Sequence, residues 1–338
     1  MFSWRSVLSG SRLDLVNPRV DVIGIQAELA FTLLTLAFAY SNTAFHHATR
    51  VPEPKAEDGI DLSTRQQMKN AAKGTSNGKK TLNPGIQVRD VGGVEADKHL
   101  KYAAEQYCNA AAILNFVAGE VLSPTGKYSH GDQTPFPVIP EMNPKVAAGC
   151  AETCTARAEA VAIRKLQLRA SHDSNPVRPG LIAKLYLNVA SHYREALALF
   201  DSTKNSTSGK FGATANQLDL SSELLKHAEQ AASFYSSLAR KFLAIDSAGG
   251  SGGSTLGGKQ ESNPHKGQVV QMGHAIAYLE SAKQYMLACQ SSTAVGLVKN
   301  FGRGMEQKDE FSRMARDELA SIDSLSAYYV KLNSSVGL

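Results

Sequence analysis

Apolar residues recur along this chain at steps of three and four, the period of a helix with one buried face. Ile182, Leu185, Val189, Tyr193, Ala196 and Phe200 form one such stripe. Leu225, Ala228, Ala232, Tyr235, Ala239 and Phe242 form another. The pattern predicts helices at about 22–49, 95–122, 142–171, 178–201, 216–246, 265–293 and 304–333. Strand signals are nearly absent, and only the start, MFSWRSVLSG, reads as a hairpin edge. Each stripe alternates aromatic residues with alanine, which lets a neighbouring helix approach closely. Antiparallel helix pairs stacked in a solenoid would cover such stripes. The expected fold is all-α and solenoid-like, with little or no β and no strict repeat period.

The stretch GIQAELAFTLLTLAFAYSNTA, Gly24 to Ala44, is apolar nearly all round and carries one charge, Glu28. Its position behind Arg12, Asp14, Arg19 and Asp21 does not suit a signal peptide. A membrane span would want a Lys/Arg cluster on one flank, and only His46, His47 and Arg50 follow. The preferred reading is a central helix enclosed by neighbouring helices.

Between the helices lie polar segments rich in Gly, Pro, Ser and Asn, at 50–94, 123–144, 201–215 and 247–266. The second holds five prolines, and the fourth contains the flexible tract SAGGSGGSTLGG. Helical grammar is the same on both sides of each. They therefore read as insert loops in a single domain spanning residues 1–338. The net charge of +5 is mild and shows none of the clustered Lys/Arg of a nucleic-acid binder.

Candidate chemistry is sparse. The four cysteines, Cys108, Cys150, Cys154 and Cys289, form no dense framework and read as free thiols of a reducing compartment. Cys150 and Cys154 share a helix face, but two thiols are half a zinc site, and buried free thiols are the better reading. His46 and His47 point in different directions on a helix. SGGSTLGGK has the glycines of a phosphate loop without its spacing. No catalytic residue, cofactor site or metal site is expected. The residues alone lead to a helical protein-binding scaffold, with a thiol enzyme and a membrane-anchored protein as competing classes.

A resemblance sharpens this. Glu28, Leu33, Leu34, Ala37, Ser41 and Ala44 resemble the central helix of Bro domains, the ALIX-like adaptors associated with ESCRT complexes. Phe2-x-Trp4 resembles that family's F-x-W strand. AAEQYCNAAAILNFV (103–117), LIAKLYLNVASHYREAL (181–197) and MGHAIAYLESAKQYM (272–286) resemble three further helices, in the correct order. Within the family, the Gly24–Ala44 wording and GQVVQMGHAIAYLESAKQYM (267–286) are most similar to fungal members that act in ambient-pH signalling. The resemblance implies a curved, banana-shaped solenoid with a tetratricopeptide-like core and no catalysis. Bro domains carry a further segment before F-x-W and another after the last helix, so the chain is expected to be a partial domain, truncated at its N-terminus.

The resemblance also implies partners. The first is the C-terminal amphipathic helix of the Snf-type ESCRT-III subunit, the others further components of the pH-signalling complex. It implies a cytoplasmic adaptor recruited through its partners to cortical plasma-membrane or endosomal puncta. A general endosomal-sorting adaptor is the alternative. Residue by residue, Leu181 and Leu185 fall at positions of the family's apolar groove, one turn apart. Val161 falls where members often carry a larger aromatic residue, and Lys101 falls on the basic rim. Each also has a plainer reading: the three apolar residues as core, Lys101 as a solvated lysine.

Overall fold

The computed structural model describes residues 2–5, 8, 19–22, 24–51, 93–123, 125, 139–172, 177–205, 220–248, 264–294 and 305–336. Side chains are described within 24–51, 93–123, 139–169, 177–203, 220–248, 272–290 and 314–334, and at residues 8 and 125. Most of the four expected insert loops, 50–94, 123–144, 201–215 and 247–266, lies outside the described residues.

The chain opens with a two-stranded antiparallel ribbon, β1 (Phe2–Arg5) and β2 (Arg19–Val22), in which Phe2 pairs with Val22 and Trp4 with Val20. Seven α-helices follow among the described residues: α1 (Ile25–Thr49), α2 (Gly93–Phe116), α3 (Pro144–His172), α4 (Pro179–Asn205), α5 (Ser222–Ala248), α6 (Pro264–Ala294) and α7 (Met305–Val336). A π-helical turn, Val117–Val121, extends α2, and a 3-10 turn, Pro140–Met142, leads into α3. The fold is all-α and of solenoid type, with sequence-neighbouring helices packed on one another.

Local chemistry sets the helix starts. Gly24 holds φ at 118° before α1, a backbone conformation that favours glycine. The Asn143 side-chain oxygen accepts from the Lys145 N–H at 2.9 Å, capping α3. Pro179 begins α4 where a missing N–H costs nothing. The Ser221 hydroxyl accepts from the Glu223 N–H at 3.3 Å, and Glu223 favours the positive end of α5.

The chain divides into two compact units. One comprises residues 1–51, 94–162 and 188–232, and the other residues 52–93, 163–187 and 233–338. In the first, Phe31, Leu34, Leu100, Leu114, Val117, Val189 and Phe200 are fully buried. Gly149 on α3 faces the Phe200 ring so closely that a Cβ there would overlap it. Ile139, Glu141 and Met142, expected in a loop, are also buried. Glu141 accepts from the Leu8 N–H at 2.8 Å, which gives the buried carboxylate a donor.

In the second unit α6 packs along α7, burying Leu279, Met286, Ile322 and Leu325. Tyr186 stacks on Tyr235, with centroids 5.9 Å apart, and lies 5.8 Å from Phe242. Lys241, only 2% exposed, reaches the Glu318 carboxylate at 2.8 Å. The Gly180 N–H donates to Asp246 at 3.1 Å, and a Cβ on Gly180 would stand 2.8 Å from that carboxylate.

Helix α1 corrects one expectation. It is not enclosed all round: Ala27, Ala30, Phe31, Leu34, Ala37, Ala44 and Ala48 form its buried face, while Glu28, Thr32, Thr35, Leu36 and Asn42 are exposed. Thr32, Thr35 and Thr43 donate their hydroxyls to the carbonyls four residues back, at 2.8, 2.8 and 2.9 Å. Those local bonds satisfy the polar groups of a stretch that otherwise reads as apolar. Among the described residues, no helix is long and apolar enough to cross a membrane.

Candidate functional site

On α4 the buried stripe runs through Ile182, Tyr186, Val189, Tyr193, Ala196 and Phe200. Tyr186 takes the place the periodicity gave to Leu185, because both fit a step of three or four. Leu185 is left half-buried on the edge of the stripe. Leu181, one turn earlier, is 50% exposed, Lys184 between them is exposed, and Leu187 is 36% exposed. The first turns of α4 thus carry an apolar strip, Leu181 and Leu185, flanked by a lysine. Residues four apart share a helix face, so the two leucines act together.

Val161 and Lys101 belong to the other unit. Val161 on α3 is 7% exposed, a core position. Lys101 on α2 keeps 66% of its side chain in solvent and lies 3.7 Å from Glu105 on the same helix. An exposed ion pair of this kind is loose, so the lysine remains available to an acidic partner.

The cysteines are free: Cys150, Cys154 and Cys289 are buried and Cys108 is exposed. Burial pushes the Cys150 and Cys289 thiols up to about 12 and raises that of Cys154. A thiol held protonated is a poor nucleophile and a poor metal ligand, which weakens the thiol-enzyme reading for these three. A shallow depression lined by Leu197, Asp201, Ser222, Leu225, Lys226 and Glu229 mixes both signs of charge.

Three polar constellations were not legible in the sequence. Arg157 on α3 donates to the ring of His227 at 3.2 Å and hydrogen-bonds the phenols of Tyr107 and Tyr193. Burial raises both phenols, and the guanidinium opposes that shift. His47 and His99 bring their Nδ1 atoms within 2.9 Å, with the Tyr102 ring tilted against His47 at a centroid distance of 4.5 Å. His192 lies 2.6 Å from Glu152 and 3.4 Å from Glu159. Each joins residues distant in sequence, so spacing carried no sign of them, apart from the H-x-x-E step from His192 to Glu195.

Among the described residues, the first turns of α4 therefore offer an exposed apolar strip. The model of the BRO1-like domain matches residues 89–332. The chain belongs to the BRO1-like domain family. The match takes in α2 to α6 and all but the last residues of α7, and leaves out β1, β2 and α1. No curated protein and no solved structure matches the chain. BRO1-like domains are non-catalytic adaptor domains related to ESCRT function, and they bind ESCRT-III proteins. An adaptor role with a protein partner follows for this BRO1-like chain.

Proposed function

We propose that this BRO1-like protein is a PalC-type adaptor of alkaline-pH signalling. In this reading it binds the C-terminal amphipathic helix of the Snf-type ESCRT-III subunit. It thereby recruits the proteolytic activation complex to cortical plasma-membrane or endosomal sites from the cytoplasm. The observation that carries the reading is the strip on α4: Leu181 half-exposed, Leu185 half-buried one turn on, and Lys184 exposed between them. An amphipathic helix docks its leucines into such a surface, and basic neighbours meet its acidic flank. The resemblance assigns Lys101 and Val161 to the same binding surface; Lys101 is exposed, and Val161 is buried. Resemblance to the pH-signalling members over 24–44 and 267–286 supports this branch, and a general endosomal-sorting adaptor is the alternative.

A pull-down on the immobilised C-terminal helix of the Snf-type subunit tests the reading. Wild type is retained, and Leu185→Asp is lost while its circular dichroism keeps the helical signal. Full retention of Leu185→Asp removes the site. Collapse of its helical signal returns Leu185 to the core.

A further inference from the structure

Helices α3 and α4 face each other in the first unit with a polar cluster that the docking strip does not use. From α3 come Glu152 and Glu159, two turns apart, and from α4 come Asn188, His192 and Glu195, at steps of four and three. His192 Nδ1 lies 2.6 Å from the Glu152 carboxylate. Its Nε2 lies 3.4 Å from Glu159. Asn188 donates to both oxygens of Glu159, at 2.8 and 2.9 Å, and so fixes that carboxylate. Liganding atoms of Glu152, His192 and Glu195 all fall within 4.8 Å of one another.

We propose that Glu152, His192 and Glu195 bind a zinc-class divalent ion that clamps α3 to α4. The donor set is one imidazole nitrogen with two carboxylates, which suits Zn²⁺ and its neighbours rather than the all-oxygen preference of Ca²⁺ or Mg²⁺. The cluster is more than a group of acids, because an imidazole stands among the carboxylates with its Nδ1 2.6 Å from Glu152. With the metal on Nδ1, Nε2 lies 3.4 Å from both the Asn188 amide nitrogen and the Glu159 carboxylate, polar neighbours of the kind that orient metal-binding imidazoles. Two donors on one tetrahedral ion sit about 3.3 Å apart. The Glu152–His192 contact therefore opens by less than ~1 Å and Glu195 closes by up to about 1.5 Å, on side chains that are partly or fully exposed. Three protein ligands leave a fourth position for water.

The test is titration of the full chain, carrying Cys108→Ser to remove the exposed thiol, with Co²⁺ followed by Zn²⁺. The proposal expects one ion per chain, visible Co²⁺ bands without thiolate charge transfer, displacement by Zn²⁺, and a melting temperature that rises with Zn²⁺. His192→Gln and Glu152→Gln each weaken binding by about tenfold or more, and Glu195→Gln, at an exposed position, does so without changing the metal-free melting temperature. His47→Gln leaves binding unchanged. Absence of a saturable band, a band that survives His192→Gln, or loss in His47→Gln instead would overturn the site.

Discussion

Arg157 on α3 and His227 on α5 meet nitrogen to nitrogen at 3.2 Å, the guanidinium donating to the imidazole Nε2. A ring nitrogen that accepts cannot carry a proton, so this contact exists only with a neutral His227. Burial, reinforced by the Arg157 charge, pushes the His227 imidazole down to about 4. In the unfolded chain the same ring titrates near the ordinary imidazole value of 6.5. The unfolded state therefore binds more protons between those two values, and stability rises with pH across that window. His47 shifts the same way, through burial and then the charges of Arg50, His99 and His46. Urea unfolding should show full stability above pH 6.5 and a loss on the order of 1–3 kcal/mol as the pH falls toward 4. His227→Gln should flatten that slope. An unchanged slope would place the acid sensitivity elsewhere.

Gly149 and Phe200 make a packing prediction. Gly149→Ala places a methyl where the Phe200 ring already stands. Overpacking of this kind costs about 1–3 kcal/mol. The double variant Gly149→Ala/Phe200→Leu should recover part of that loss relative to the sum of the single changes, because the smaller side chain vacates the space. Denaturant melts of the four proteins measure the coupling, and strict additivity would contradict the contact.

Two ion pairs of equal length should differ in worth. Lys241–Glu318 and Lys283–Asp323 both span 2.8 Å, but Lys241 is 2% exposed whereas Lys283 is 39% exposed. Removing one partner of a buried pair leaves an uncompensated charge, which costs about 3–5 kcal/mol. Lys241→Ala should therefore approach that figure, while Lys283→Ala should leave the unfolding midpoint within experimental error. A comparable loss in both would contradict the burial argument.

Much of the fold is legible in the spacing of apolar residues. The step-of-three-and-four pattern places the sixth helix at 265–293, and it runs from Pro264 to Ala294. What the period cannot decide is which of two adjacent apolar residues faces inward. At Leu185 and Tyr186 either choice keeps the step, and the aromatic ring wins because it stacks on Tyr235 and lies against Phe242. On α1 the apolar character is so even that the sequence hides the exposed side, where Leu36 is 44% exposed. Val161 reads equally as groove floor or core, and packing buries it. The polar clusters fail for another reason: Glu152 and His192 meet only through the packing of two helices, and no local pattern announces such a pair.

Lys101 bears on the kinetics of binding more than on the docked contact. It is exposed and only loosely paired with Glu105. Lys101→Glu should slow association with an acidic partner helix severalfold at low salt, and the difference should shrink as salt is raised. Stopped-flow association at two ionic strengths measures it, and a salt-independent effect would contradict a rim role.

The central claim is that α4 docks the ESCRT-III helix through Leu181 and Leu185. The most direct measurement is calorimetric titration of the full chain with that helix, wild type against Leu181→Asp. Leu181 is half-exposed and sits in the first turn of α4, where a negative charge favours the helix. Its replacement should therefore leave the melting temperature unchanged. The account predicts that Leu181→Asp weakens binding by about thirtyfold or more, as expected for a central anchor. Equal affinity of the two proteins would contradict it.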